Sequence, residues 1–282
     1  MGSTELTKHR LYIATADQSE DTKRIIEKLQ KKFPAAQYTS ALSIVASRHR
    51  SNIYIAVGPA ALRALLSQSA DGVIVSVFTS SQAVREIVEA APDSRRATVT
   101  AVYADPSPVE QLRLIATIYK RPVHVAVLVR DKNTYLVPLL RQAATQSNIR
   151  LSIEAVSSEE NINRILDRIK DANVVLALPD SKIYNPETVR NILITTYRRD
   201  QGVLGFSVAF VKAGALATTY SDVDDIVSQV EEMLNEINVS GRIPEAQFPK
   251  YFDVAVNESV ARSLNLVIDD NVKKYQSKAT QK

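Results

Sequence analysis

The feature that most constrains this chain is an alternation. Short β-branched runs are each followed by a polar joint and then by an amphipathic helical stripe. Leu11–Thr15 precedes a stripe of Ile25, Ile26, Leu29 and Phe33. Ile53–Val57 runs into Gly58-Pro59, Val73–Phe78 into Thr79-Ser80-Ser81-Gln82, and Thr98–Tyr103 into Asp105-Pro106-Ser107-Pro108. Strands apolar on both faces and spaced by helices predict βαβ units with parallel sheets. The joints carry helix-start chemistry. Pro59 and Pro108 suit first helical turns, and Thr79 with Gln82 and Ser107 with Glu110 read as capping boxes.

After Arg121-Pro122 the pattern starts again, which puts a lobe boundary near residue 122. Val123–Val129, Leu151–Val156, Val174–Leu178 and Val203–Phe206 read as strands, and Thr134–Ser147 as a helix. Ser157 with Glu160 reads as a capping box ahead of the Ile162, Ile165, Leu166, Ile169 stripe, and Asn185-Pro186-Glu187 as a further helix start. Ile226, Val227, Val230, Met233, Leu234 and Ile237 form a strong helical stripe. A strand, Tyr251–Val256, and a short helix, Glu258–Leu264, come last, and residues 269–282 read as a charged, flexible tail.

Composition removes several classes. A net charge of +4 spread over scattered and paired cations is a solvated surface, without the dense, aromatic-studded stripe of a nucleic-acid binder. With no cysteine among 282 residues, disulfides, thiolate zinc sites and cysteine nucleophiles are excluded together. No apolar run approaches the roughly 20 residues that cross a bilayer. The start, Met1-Gly2-Ser3-Thr4-Glu5, lacks the apolar stretch of a secretory signal. Either the chain is cytosolic, or Met-Gly-Ser stands where a signal was.

The usual catalytic and nucleotide signatures are missing: no G-x-G-x-x-G, no P-loop and no G-x-S-x-G elbow. His9, His49 and His124 sit in unrelated segments without metal-ligand spacing, and Asp222, Asp224 and Asp225 cluster at a helix start, where capping explains them. No metal, no cofactor and no catalysis are expected. The remaining pattern lies at the strand ends. Asp17, Gly58, Phe78, Thr79, Ser80, Ser81, Tyr103 and Asp105 close the first-lobe strands. Asn133, Thr134, Asp180, Phe206 and Ser207 close the second-lobe ones. In open parallel sheets such carboxyl-edge loops hold ligands. Hydroxyls and free N–H groups at helix starts suit an anion, a lone Asp suits an ammonium, and the three aromatics suit a flat apolar group. Taken singly, each Ser, Thr or Asp is equally a good helix cap.

Several segments together resemble a known family: Leu178 to Val189 (LPDSKIYNPETV), Gly205-Phe206-Ser207, Val211 to Leu216 (VKAGAL), Val57 to Ala61, Asp105 to Leu112, and Val254 to Leu264. In order and content they are similar to the ABC-transporter substrate-binding proteins that include tryptophan and tyrosine binders. The likeness covers nearly the whole chain and is densest over residues 174–264. It departs at Tyr103-Ala104-Asp105-Pro106 and at the charged loop Arg130-Asp131-Lys132-Asn133.

The resemblance implies an α/β fold of the type I periplasmic-binding-protein kind: two Rossmann-like lobes with parallel sheets, joined by a three-stranded hinge, with ligand in the cleft. The first lobe would comprise 9–120 with about 217–240, and the second 121–216 with about 241–268. By motif position Ser80 and Ser81 would hold a ligand carboxylate and Asp180 its amine. The implied role is the extracytoplasmic solute-binding component of an ABC importer. It would be a monomer, periplasmic or lipid-anchored, that closes on an amino acid or related small carboxylate and delivers it to a membrane permease. The alternative is an extracytoplasmic sensing domain that feeds a signalling protein. A ligand-responsive transcription regulator of the same fold would need a DNA-binding headpiece, and the first strand begins too early, at Leu11, to leave room for one.

Overall fold

The computed structural model describes residues 9–41, 51–68, 70–92, 96–130, 134–157 and 160–279, with the side chain of Thr134 left aside. Asn133 and His49 lie outside the described residues. The chain divides into two compact units. One runs to Asp105 and adds Ser221–Tyr251 and the chain from Lys278; the other is Pro106–Tyr220 with Phe252–Ser277. The division falls at 105/106 rather than near 122. The helix Pro108–Tyr119 goes with the second unit, because it packs on elements that follow it in sequence.

The first unit opens β1 (Arg10–Thr15), α1 (Glu20–Lys32), β2 (Gln37–Ser40), β3 (Asn52–Val57), α2 (Gly58–Ser67), β4 (Val73–Val77), α3 (Ser81–Glu89) and β5 (Thr98–Val102). Its strands are parallel in the order β2-β1-β3-β4-β5. Because side chains alternate along a strand, each apolar run serves both faces. Ile53, Ile55, Val73, Val75 and Val77 face one cluster, and Tyr54, Ala56 and Ile74 the other. The first cluster is covered by α1 and by a helix from much later in the chain, the second by α2 and α3. Gly72 is the one residue type that fits its place between α2 and β4. It has φ +110°, and a Cβ there would collide with the Asn52 carbonyl.

The second unit contains α4 (Pro108–Tyr119), β6 (Val123–Val129), a short 3-10 turn over Thr134–Leu136, α5 (Val137–Gln146), β7 (Ile149–Ala155), α6 (Ile162–Arg168), β8 (Val174–Leu176), α7 (Pro186–Arg198), β9 (Gly202–Leu204), α8 (Val208–Lys212) and β10 (Ala217–Tyr220). The chain then supplies α9 (Val223–Ser240) to the first unit. It returns with β11 (Asp253–Val256), α10 (Glu258–Ser263) and α11 (Asp270–Lys273). The sheet order is β11-β10-β9-β8-β6-β7, with β11 antiparallel to β10 and the other pairs parallel. α4 packs against α5, β10 and α11. Of the segment expected to be a flexible tail, residues 269–277 are built in. α11 is capped by Asp269, and Ser277 pairs with the backbone of Phe252 at 2.7 and 2.9 Å.

Three of the expected caps differ in detail. Ser80, not Thr79, caps α3, its oxygen accepting the Ala83 N–H at 3.3 Å. Ser107 occupies the cap position of α4 without a side-chain bond, and Glu110 accepts from the Tyr275 hydroxyl at 2.5 Å instead of closing a box. Asn161 caps α6, in place of Ser157. At α7 and α9 full capping boxes form, Asn185 with Thr188 and Asp222 with Asp225.

Candidate functional site

In the first unit the candidate residues gather at the carboxyl ends of β1, β3, β4 and β5. Asp17 is exposed and already engaged. It accepts the Ser19 N–H at 2.5 Å and the Thr22 hydroxyl at 2.8 Å, and these bonds hold its carboxyl below the usual range. Gly58 takes φ +81°, which lets β3 pass straight into α2. Phe78 also has positive φ, +55°, a conformation that costs a side-chain-bearing residue about 1–2 kcal/mol. Its half-buried ring, packed on the first core cluster, holds it there. The turn at Phe78 leaves Thr79 buried and puts Ser80 at the helix cap.

Ser81 and Asp105 meet each other. The Ser81 N–H and hydroxyl donate to the two Asp105 oxygens at 2.6 and 2.7 Å. Both residues are buried. Burial pushes the Asp105 carboxyl up to about 6, against the pull of the two Ser81 bonds. The Ser81 groups expected to hold a ligand carboxylate here bind the chain's own carboxylate. Tyr103 is buried edge-on against Phe248 at 5.0 Å, and burial raises its hydroxyl pKa. It is part of the unit's packing.

In the second unit the candidate Asp180 is also buried, its side chain only 1% exposed. It accepts from Arg130 Nε at 2.5 Å and from the Lys182 N–H at 2.9 Å. The carboxylate expected to hold a ligand amine here pairs with the chain's own cation. Phe206 stacks on Phe210 at 5.2 Å and meets Tyr184 edge-on at 5.9 Å. The Tyr184 hydroxyl is buried without a hydrogen-bond partner, and desolvation followed by the Asp180 charge raises its pKa. Ser207 caps α8, accepting the Phe210 N–H at 3.2 Å. Thr134 opens the short turn after β6.

Two features were not legible beforehand. A cavity of about 360 Å³ lies at the carboxyl edge of β6, β7 and β8, lined by Arg130, Ser157, Lys182 and Ile183 and by α6 and α7. Gln111, buried in α4, accepts the Thr219 N–H at 2.8 Å and donates to the Gly205 carbonyl at 2.5 Å. It ties the helix to β10 and to the loop after β9. The one signal for Arg130 was its place directly after a strand, and nothing marked Gln111. Two of the histidines make hydrogen-bond contacts within the chain: His124 with Ser152 Oγ and the Asp171 carbonyl, and His9 with the Ser51 carbonyl.

No family model matches the chain, and no curated protein matches it. Solved structures do. A substrate-binding protein with adhesive properties from Clostridium difficile, in its ligand-free open form, superposes with a TM-score of 0.62 at 13% identity, over 94% of this chain and 97% of that one. An ABC domain from Streptococcus pneumonia in complex with L-tryptophan gives 0.58 at 13% identity, over 95% and 98%. A conserved domain protein from Vibrio cholerae gives 0.58 at 19%, over 94% and 97%. The fold is that of a type I periplasmic binding protein. Each half of such a fold is a parallel sheet sandwiched by helices, and both halves are present here. Among the described residues no helix is long and apolar enough to cross a membrane.

Proposed function

We propose that this chain is the extracytoplasmic solute-binding component of an ABC importer. It takes an amino acid or related small carboxylate with an apolar or aromatic body by closing its two units on it, and passes it to a membrane permease. The observation that carries this reading is the clustering, in each unit, of polar loops and aromatic side chains at the carboxyl ends of parallel strands. This is where open α/β sheets hold ligands. The near full-length likeness to substrate-binding structures supports it. Closure would follow from a ligand that contacts the closed arrangement better than the open one.

A thermal-shift panel of amino acids, keto acids, short-chain carboxylates and sugars tests it. A ligand present at 100 times its Kd stabilises by about 2.7 kcal/mol, roughly 5–10 °C for a chain of this size. A shift with carboxylates alone supports the ligand class. Binding of sugars alone would replace the class, and no shift with any compound would remove the receptor role.

A further inference from the structure

The cavity at the carboxyl edge of the second sheet has an uneven polar lining, and that unevenness names a ligand chemistry. Its carboxylate and amide acceptors are used internally. The Glu160 carboxylate binds Arg168, Asn163 Oδ1 accepts from Asn191 Nδ2 at 2.9 Å, and Asn191 Oδ1 accepts from Thr195 at 3.1 Å. Its donors are not all used. Among the described residues the Lys182 ammonium, the Asn163 side-chain N–H groups and the Ser157 hydroxyl meet no protein acceptor. The charges point the same way. The lining itself holds two cations, Arg130 and Lys182, and one anion, Glu160; Arg130 pairs with Asp180, Arg168 is shared by Glu160 and Glu154, and among the described residues Lys182 has no ion-pair partner. The remaining lining is apolar: Val156, Ile162, Ile165 and Ile183.

We infer that this cavity receives the carboxylate and part of the apolar body of a small organic acid that carries no ammonium group. The inference rests on the solute-receptor reading and narrows it. A donor-rich, positively charged lining suits an acceptor-only anion. The volume, about 360 Å³, falls in the range of small-ligand sites. An α-ammonium would find both acids at this edge engaged, Asp180 with Arg130 and the Lys182 N–H and Glu160 with Arg168, and would sit beside existing cations. Like charges brought together in a partly desolvated site are costly.

Matched pairs test it: phenylpyruvate against phenylalanine, and α-ketoisocaproate against leucine, by isothermal titration on the full chain. The expected result is keto acids bound at least tenfold more tightly than their amino acids. Lys182→Met should weaken the keto acid at least tenfold with the unliganded melting temperature unchanged, because Lys182 is exposed. Ile162→Trp, which fills the cavity, should also block binding. Amino acids bound more tightly than keto acids would overturn this inference and leave the receptor role standing. Keto acids bound equally by the parent chain and both variants would place the ligand elsewhere and overturn it. Binding of none of the four, nor of any compound in the thermal-shift panel, would overturn both.

Discussion

Asp105→Asn isolates a competition between two opposing effects at one buried carboxyl. Burial favours the neutral acid, and the two Ser81 hydrogen bonds favour the carboxylate. With burial ahead, the folded carboxyl titrates at about 6, against about 3.9 in an unfolded chain. Between these values the folded state holds a proton that the unfolded state has released, so stability falls as pH rises. The contribution is fully present below pH 4 and is lost as pH passes 6. Two pH units at 1.36 kcal/mol each set the size at about 3 kcal/mol. Asparagine keeps an acceptor for the Ser81 N–H and cannot ionise. The stability of the variant minus that of the parent should therefore rise by about 3 kcal/mol from pH 4 to pH 7.5. Urea unfolding followed by far-UV circular dichroism at four pH values measures it, and the other carboxylates cancel in the difference. A flat difference would show that the Ser81 bonds balance burial, and one in which the parent gains with rising pH that they outweigh it; either would refute the reasoning. Ser81→Ala should move the window to higher pH, because it removes the hydroxyl bond while the backbone N–H bond stays.

Other substitutions probe the remaining tight points. Arg130→Met strands the buried Asp180 carboxylate and should cost about 3 kcal/mol, most of it recovered in the Arg130→Met/Asp180→Asn double variant; no recovery would mean that the pair does not act as a unit. Gln111→Ala leaves the Thr219 N–H and its neighbours without partners and should cost about 3 kcal/mol in urea unfolding, with a loss under 1 kcal/mol counting against the clasp. Gly72→Ala forces a Cβ into the Asn52 carbonyl at positive φ and should cost about 3 kcal/mol or more, measured the same way.

The sequence made some of these elements plain and hid others, for physical reasons. β6 spans the same residues as its apolar run, Val123–Val129, because a strand buried on both faces writes a continuous signal. β2, Gln37–Ser40, was not anticipated: it is an edge strand, largely exposed, and Gln-Tyr-Thr-Ser carries no apolar pattern. At the strand ends, residue types pointed to the right edge but not to the partners. Ser81 and Asp105 are 24 residues apart and Arg130 and Asp180 are 50 apart. Each pair meets because β4 neighbours β5 and β6 neighbours β8. A sequence that shows a serine and an aspartate at two strand ends does not show that the sheet order sets them against each other. The position of α4 failed similarly, since its partners β10 and α11 are written a hundred or more residues later.

That α9 completes the first unit has a consequence for how the chain is made. Six side chains from α9, Ile226 to Ile237, help cover a face built from β1, β3, β4 and β5. The strands are finished by Val102 and the helix only at Ser240. At about 5–20 residues per second, roughly 7–27 s separate the two during synthesis. For that interval a nascent sheet presents an incompletely covered apolar face, with α1 alone upon it. The unit's last helix arrives after most of the second unit has emerged, so the two are bound to a common schedule. A chain of this design reaches its native state late, and whatever keeps it from aggregating must act on it before residue 240.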